Sequence, residues 1–198
     1  MKNNENQFIK KCFDELKVNH PEKFLINEYD HIPDDMISED GKKWKLIEST
    51  VSEEDINEIE NKFSIKLPNI YREYLTSYCH MFDDLEGVLD NFCGECDKEV
   101  VMHILPEPSD NPLSKFEELL NDLSGLVEFG YIPIGDFFGW GPLCFDMFND
   151  YKLVWLDQDE YYDCESREEL EDLREVLFED FKEFMECFFC GKKHDCKM

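Results

Sequence analysis

Two Cys-x-x-Cys pairs are the residues whose type and spacing point most directly to a metal site. The first pair, Cys93 and Cys96, encloses a glycine, and the second, Cys187 and Cys190, precedes a histidine and a further cysteine. Zinc sites are commonly built from such pairs, because four ligands must converge in a tetrahedron. The candidate zinc ligands are Cys93, Cys96, Cys190, His194 and Cys196.

The alternative explanation of both pairs is that cysteine serves as a small apolar residue. About 90 residues separate the two pairs, which is far more than the spacing between the pairs of a zinc ribbon. Cys187 and Cys190 also enclose two phenylalanines, as is typical of a buried helix end. We therefore expect no metal and no other cofactor, and zinc binding stays an alternative function.

No arrangement of residues predicts catalysis. The five histidines are scattered, and none has the spacing of a Ser/His/Asp or Cys/His arrangement. The glycine-rich segment 135–141 lacks the lysine of a phosphate-binding loop and does not match the GxGxxG spacing, so we expect a turn between two strands. Carboxylate pairs are abundant, but acid–base catalysis needs a split in their pKa values that a sequence does not display. We expect that this protein is not an enzyme.

The charge of the chain excludes two classes of partner. Its 198 residues hold 48 Asp and Glu against 20 Lys and Arg, a formal net charge of −28. Binding to nucleic acid and to anionic membranes relies on Lys and Arg that neutralise phosphates, so we expect neither. A cationic protein would be attracted, and the summed field would accelerate the encounter.

The acidic residues are concentrated near the C-terminus. Residues 157–186 hold 14 acidic residues against three basic ones. Such a run is usually a solvated face, but solubility alone does not require this density. We therefore expect contact with a cationic protein here and at the turn 136–141, which carries a tryptophan, since Trp is a frequent interface anchor. The predicted contact residues are Asp136, Trp140, Asp157, Asp159, Glu160 and Asp163. For Trp140 a core position under the turn is the alternative.

Helices and strands alternate along the chain. Apolar residues at spacings of three and four predict helices over 4–17, from Ser52 to Phe63, from Pro68 to Tyr78 and over 112–123. Short apolar runs predict strands over 100–105, 131–134, 143–148 and 153–156. A Leu and Phe stripe after the N-cap candidate Ser166 predicts one long C-terminal helix to about residue 189.

These elements divide the chain into three parts. We expect an N-terminal helical extension with an acidic connection over 1–43, a main domain over 44–190 and a tail over 191–198. The start lacks the apolar core of a signal peptide, no stretch approaches the length of a membrane span, and the nine cysteines are an odd number. We therefore expect a cytoplasmic protein with reduced thiols.

Two stretches in this order resemble the SMI1/KNR4 family, also called the SUKH superfamily. The first is Ile56-x-x-Ile59-Glu60-x-x-Phe63-x-Ile65-x-Leu67-Pro68-x-x-Tyr71-Arg72-x-x-Leu75. The second is Gly130-Tyr131-Ile132-Pro133-Ile134-Gly135-Asp136, followed by Leu143-Cys144-Phe145-Asp146 and Val154-x-x-Asp157. One departure is that the segment 79–84 replaces the family's usual Asn-Gly turn after the second helix.

The resemblance implies an α+β fold, in which helices pack around a mixed, largely antiparallel sheet. It also implies a bacterial immunity protein that binds and neutralises a polymorphic toxin, often a nuclease, without catalysis. Fungal relatives instead act as scaffolds in cell-wall signalling, so a regulatory protein-binding scaffold is the alternative function. We interpret Glu60, Tyr71 and Arg72, which match the family motif, as residues that hold the fold.

Overall fold

The computed structural model describes residues 2–26, 31–92, 94–137 and 139–196. Eight α-helices, numbered α1–α8 in chain order, lie within these ranges: Lys2–Asn19, Glu53–Phe63, Asn69–Leu75, Ser114–Asp122, Ser124–Glu128, Gln158–Tyr161, Arg167–Leu173 and Phe181–Phe188. The strands of the same ranges, β1–β9, are Ile47–Glu48, Tyr78–Cys79, Asp84–Asp90, Lys98–Ile104, Tyr131–Asp136, Pro142–Asp146, Lys152–Trp155, Glu175–Phe178 and His194–Asp195.

Seven of the strands form one sheet in the order β8-β7-β6-β5-β4-β3-β9, and β1 pairs with β2 separately. Every pairing in the large sheet is antiparallel except that of β3 with β9. Buried and exposed residues alternate along β4, whereas β6 is buried at every position. This difference indicates that one face of the sheet is open to solvent near β4 and that both faces are covered near β6. The predicted α+β fold, with helices around a mixed and largely antiparallel sheet, is confirmed.

The sequence also explains where the helices begin. Ser52 caps α2, because its hydroxyl accepts from the amide of Asp55 and the Asp55 carboxylate accepts from the amide of Ser52. This reciprocal pair satisfies two amides that the first helical turn leaves without partners. The helix α3 starts directly after Pro68, as expected for a residue that lacks an amide hydrogen. The helix predicted over 4–17 is α1, and its Phe13 packs edge-to-face on Phe189 near the end of α8, with 5.2 Å between ring centroids.

The prediction of one long C-terminal helix is wrong, since residues 167–188 fold as a helix, a strand and a second helix. Ser166 does cap a helix, but α7 ends at Leu173, and Arg174 adopts an extended conformation. The segment Glu175–Phe178 then pairs with β7 as strand β8. A new helix starts after Asp180, whose carboxylate accepts from the amides of Lys182 and Glu183. The apolar stripe is compatible with both arrangements, and pairing with the edge of β7 decides between them.

The structure also shows elements that the sequence did not predict. The strand β3 is the clearest of these, and it pairs with β4 over six positions. The acidic connection before residue 44 buries Ile32 and Met36 in the core; its residues 27–30 lie outside the described ranges. Within the described ranges, no helix has the length and apolar character that crossing a bilayer requires.

Candidate protein-binding surface

The turn after β5 is held by hydrogen bonds among its own residues. The carboxylate of Asp136 accepts from the amide of Gly139 at 2.6 Å, and the amide of Trp140 donates to the carbonyl of Phe137 at 2.9 Å. The amide of Phe137 in turn donates to the carbonyl of Gly141 at 3.1 Å. Asp136 is half-buried, and its carboxylate helps to hold the shape of this turn.

A second set of contacts brings this turn to the acidic segment that follows β7. The amide of Gln158 donates to the carbonyl of Trp140 at 3.0 Å. Gly141 has a φ of +132°, and a Cβ atom at this position would lie 1.9 Å from the carbonyl oxygen of Leu156. Only glycine allows so close an approach of two main chains. The two segments are separate in sequence but adjacent in the fold.

The acidic segment exposes carboxylates while one aromatic side chain fixes it. The Asp157 carboxylate caps α6 by accepting from the amide of Asp159 at 2.9 Å. Tyr161 is buried in a small apolar cluster that also contains Leu126 and Leu170. The side chains of Asp159, Glu160 and Asp163 are exposed. Their negative charges are thus held on an anchored segment.

Trp140 lies at the surface and not in the core, since 43% of it is exposed. Its ring stacks on Phe92 with 6.1 Å between centroids, and Lys98 Nζ lies 4.1 Å from its ring centre. The ring therefore contacts Phe92 and Lys98 and is still partly open to solvent. We call Asp136, Trp140, Asp157, Asp159, Glu160 and Asp163 together the turn–α6 surface.

Like charges are crowded at one edge of the turn–α6 surface. Burial and, to a smaller extent, the nearby carboxylate of Asp157 raise the pKa of the Glu175 carboxyl above its ordinary value. A cation placed between these two carboxylates would relieve their repulsion. The arrangement suits electrostatic binding of a positively charged group.

The candidate zinc ligands are dispersed in the structure. Cys190 donates from its thiol to Cys12 Sγ at 3.3 Å, and this bond, followed by burial, raises the pKa of the Cys190 thiol. His194 Nε2 lies 2.7 Å from the carbonyl oxygen of Leu177. Cys96 is exposed, and Cys196 is buried with its amide on the carbonyl of Asp90.

Cys93, the remaining candidate ligand, lies outside the described residues. In the part of the chain that the structure describes, no three His, Cys, Asp or Glu side chains are grouped closely enough to hold a metal ion. Zinc binding stays an untested alternative.

Two buried carboxylates hold elements together. The Glu60 carboxylate accepts from Arg72 Nη1 at 2.7 Å and from the amide of Leu67 at 2.9 Å, and Lys66 also donates to it. Burial alone would raise its pKa, but these hydrogen bonds outweigh burial and keep the pKa below the ordinary value. These contacts join α2 to α3, which agrees with a structural role for the Glu60–Arg72 pair.

Asp146 at the end of β6 is the second such carboxylate, and it is completely buried. Arg167 Nη2 donates to its Oδ1 atom at 2.7 Å, and Arg174 Nη1 donates to its Oδ2 atom. The guanidinium of Arg167 also lies 4.7 Å from the ring centre of Tyr131. The pair of arginines fastens α7 and the segment after it to the sheet.

A third buried polar group, formed by Tyr74, His80 and Glu107, carries no signal in the sequence. Tyr74 Oη and His80 Nε2 are 2.7 Å apart, and the main chains of His80 and Glu107 exchange two hydrogen bonds. Burial lowers the pKa of His80 to about 3 and raises that of Glu107 well above its ordinary value. Burial thus disfavours the charged form of both side chains, and all three residues are buried.

Comparison with known proteins adds one finding to this geometry. A family model described as SMI1 / KNR4 family (SUKH-1) matches residues 50–187, which is more than two-thirds of the chain. The matched range contains the whole turn–α6 surface and both buried carboxylates. No curated protein matches the chain, and no solved structure matches it either.

Proposed function

The chain belongs to the SMI1/KNR4 family (SUKH-1), and we propose that it is a non-catalytic immunity protein that binds and neutralises a cognate bacterial toxin. The toxin domain is cationic, and a basic nuclease domain fits this chemistry best. The chain acts in the cytoplasm and binds neither nucleic acid nor membranes. Its family membership supports a protein-binding role of this kind.

The observation that carries this proposal is the position of Trp140. A half-exposed indole is braced by Phe92 and lies on a turn that is hydrogen-bonded to the acidic segment after β7. Rigid aromatic residues surrounded by polar groups are typical anchors of protein interfaces. Here the main chain of Trp140 is bonded to the segment that carries Asp157, Asp159, Glu160 and Asp163, so a cationic partner suits the two together.

Neutralisation would follow from occupation of the toxin's own binding cleft. A nuclease cleft is lined with the Lys and Arg side chains that hold phosphates. The carboxylates of the turn–α6 surface replace those phosphates and exclude the substrate. The wider negative field of the chain accelerates encounter, while desolvated pairs at the contact set the dissociation rate.

The alternative function is a regulatory scaffold that binds several proteins. The same family membership supports this alternative. Such a scaffold would bind its partner proteins weakly, with micromolar affinities, and would not protect cells from a toxin. Zinc binding is a less favoured alternative, which metal analysis of protein purified without chelator would test directly.

The test of the proposal is co-expression of the chain with the toxin domain encoded by the adjacent reading frame. We expect cell survival and a 1:1 complex on purification, with association that slows steeply as salt rises. A variant with Trp140→Ala, Asp157→Asn and Asp159→Asn removes proposed contact residues. It should remain folded but no longer protect cells from the toxin. Failure of the unaltered chain to protect cells, together with micromolar binding to several proteins, would favour the scaffold.

A further inference from the structure

Two cysteine side chains meet where the first helix packs on the end of the last one. The thiol of Cys190 donates to Cys12 Sγ at 3.3 Å, although 178 positions separate the two residues in the chain. A disulfide bond joins two sulfur atoms at about 2.05 Å, so a relative movement of roughly 1 Å brings these two within bonding distance. The two thiols are thus close enough to be joined after a small local shift.

The residues next to both cysteines hold this pair in place. Phe13, which follows Cys12, is completely buried and packs edge-to-face on Phe189, with 5.2 Å between ring centroids. Phe189 is also completely buried, and it directly precedes Cys190. Because this ring contact lies one residue from each sulfur, the packing of α1 on the end of α8 fixes the two thiols against each other.

The two thiols differ in their access to solvent. Cys12 is buried, with 1% of it exposed, whereas Cys190 is half-buried. Cys190 lies just beyond α8, and a Cβ atom added at the following residue, Gly191, would meet no atom of the described residues within 4 Å except those of its chain neighbours. A small reagent can therefore reach Cys190 from solvent, and Cys12 can then react with the group that Cys190 carries.

We propose that Cys12 and Cys190 form a redox modification site, at which a small-molecule disulfide converts the two thiols into an intramolecular disulfide bond. The bond ties the N-terminal helix α1 to the turn after α8. Both residues lie outside the range 50–187 that the family model matches. Disulfides in a reducing compartment are usually transient, and this one forms and breaks with the supply of the reagent. Its formation needs no toxin and does not depend on the proposed function.

Two exchange steps form the bond. The Cys190 thiolate attacks one sulfur of the reagent, the S–S bond of the reagent breaks, and its other half leaves as a thiolate. Cys12 then loses its proton and attacks the Cys190 sulfur, and the second half of the reagent leaves as a thiolate. The two leaving thiolates take up the two protons that the cysteines lose. The two cysteines together give up two electrons, and the reagent is reduced to two thiols.

The contact between the two thiols makes the first step slow and the second step fast. The bond to Cys12, followed by burial, raises the pKa of the Cys190 thiol, so its reactive thiolate is scarce at neutral pH. Once Cys190 carries half of the reagent, the sulfur of Cys12 already lies beside it, and the second attack is intramolecular. The mixed disulfide on Cys190 is therefore short-lived.

Oxidation of the folded chain by bis(2-hydroxyethyl) disulfide at about pH 8.5 tests the inference, since the thiolate is the attacking form. This reagent is neutral, so the net charge of −28 does not repel it. We expect digestion and mass spectrometry to give a peptide pair linked through Cys12 and Cys190, which dithiothreitol separates again. The reagent adduct on Cys190 should stay below about one-tenth of the linked form.

Thermal unfolding measures what the bond does to the fold. A disulfide that closes a long loop restricts the unfolded chain strongly, so the Tm of the oxidised protein should exceed that of the reduced protein by about 5 °C or more. Cys190→Ala should remove this difference. Cys164→Ala is the matched control at another half-buried cysteine, and it should keep both the link and the rise in Tm. The reduced forms of both variants establish that they fold.

Three results would overturn the inference. The first is a stable reagent adduct on Cys190 without a link to Cys12. The second is a link that joins another cysteine in place of this pair, such as Cys187, whose thiol donates to the carbonyl of Val88 at 3.8 Å. The third is a rise in Tm that is as large in Cys190→Ala as in the unaltered chain, or that is absent from both.

Discussion

The amide of Gln158 donates to the carbonyl of Trp140 at 3.0 Å. This bond joins a turn between two strands to the start of a short acidic helix. It brings the main chain of Trp140, whose indole is exposed, next to a segment whose carboxylates follow it by 17 residues or more in the chain. The candidate interface therefore depends on how closely these two main chains approach.

Gly141→Ala tests this approach. The new Cβ atom would collide with the carbonyl oxygen of Leu156, and the residue would keep a φ of +132°. We expect the free energy of unfolding to fall by at least about 1–3 kcal/mol, with a change in Trp140 fluorescence. Chemical denaturation and the emission spectrum measure both. Gly139→Ala is the matched control, because its φ is also positive but no atom lies within 4 Å. Equal losses in the two variants would show that the close approach does not matter.

Asp146→Ala tests the buried ion pairs. It would leave Arg167 and Arg174 without the completely buried carboxylate to which both donate. Removing one partner of a buried pair costs about 3–5 kcal/mol, and we expect a loss of this size in urea denaturation. Asp159→Ala, at an exposed carboxylate, should change stability by no more than about 0.5 kcal/mol. A small effect of Asp146→Ala would contradict the role assigned to the pair.

Glu107→Gln tests whether burial favours the uncharged form of this carboxyl. Burial raises its folded-state pKa well above 4.5, so the unfolded chain loses this proton first as pH rises. The free energy of unfolding should therefore fall above pH 4.5, by up to about 1.4 kcal/mol per pH unit. Glutamine cannot ionise, and the variant should gain stability relative to the unaltered protein as the pH rises above 4.5.

Denaturation at several pH values measures this difference, with Glu58→Gln at an exposed site as the control. His80 does not produce the same trend. Its folded-state pKa is lowered from 6.5 to about 3 by burial, so its contribution to stability is lost as pH falls below 6.5. A Glu107→Gln variant that is less stable than the unaltered protein at pH 7 would indicate an ionised Glu107 paired with His80.

Thiol reactivity tests the positions of the cysteines. Cys96 is exposed, whereas the Cys190 thiol bonds to Cys12 and has a raised pKa. Because thiolates are the reactive form, we expect a maleimide to label Cys96 much faster than Cys190. Mass spectrometry after timed quenching gives both rates. Cys96 that reacts only after a chelator is added would instead support zinc at the first Cys-x-x-Cys pair.

The C-terminal region illustrates what a sequence pattern leaves open. Leu173, Leu177 and Phe181 are spaced as on a helix, yet Leu177 belongs to strand β8. The segment could satisfy its backbone within a helix or against the free edge of β7, and only the tertiary structure distinguishes these. The start of α7 at Ser166 was predictable, because its cap is a local interaction.

The candidate surface was predictable in composition but not in geometry. Trp140 and the acids of residues 157–163 are visible as residue types, and the turn before Trp140 follows from its glycines. The Gln158–Trp140 bond arises from how the turn after β5 packs against the segment after β7, which short apolar runs do not specify. The strand β3, which pairs with β4 over six positions, was not predicted at all.

Binding of the toxin domain by charge-matched variants tests the central claim that the turn–α6 surface contacts the partner. One variant carries Asp157→Asn, Asp159→Asn and Glu160→Gln, and the other carries Glu54→Gln, Glu58→Gln and Asp122→Asn at exposed sites elsewhere. Calorimetry on each complex at the same salt concentration compares their affinities. We predict a loss of about tenfold or more for the first variant and less than about threefold for the second. Equal losses in the two variants would show that the charge only steers the partner, and would contradict the claim.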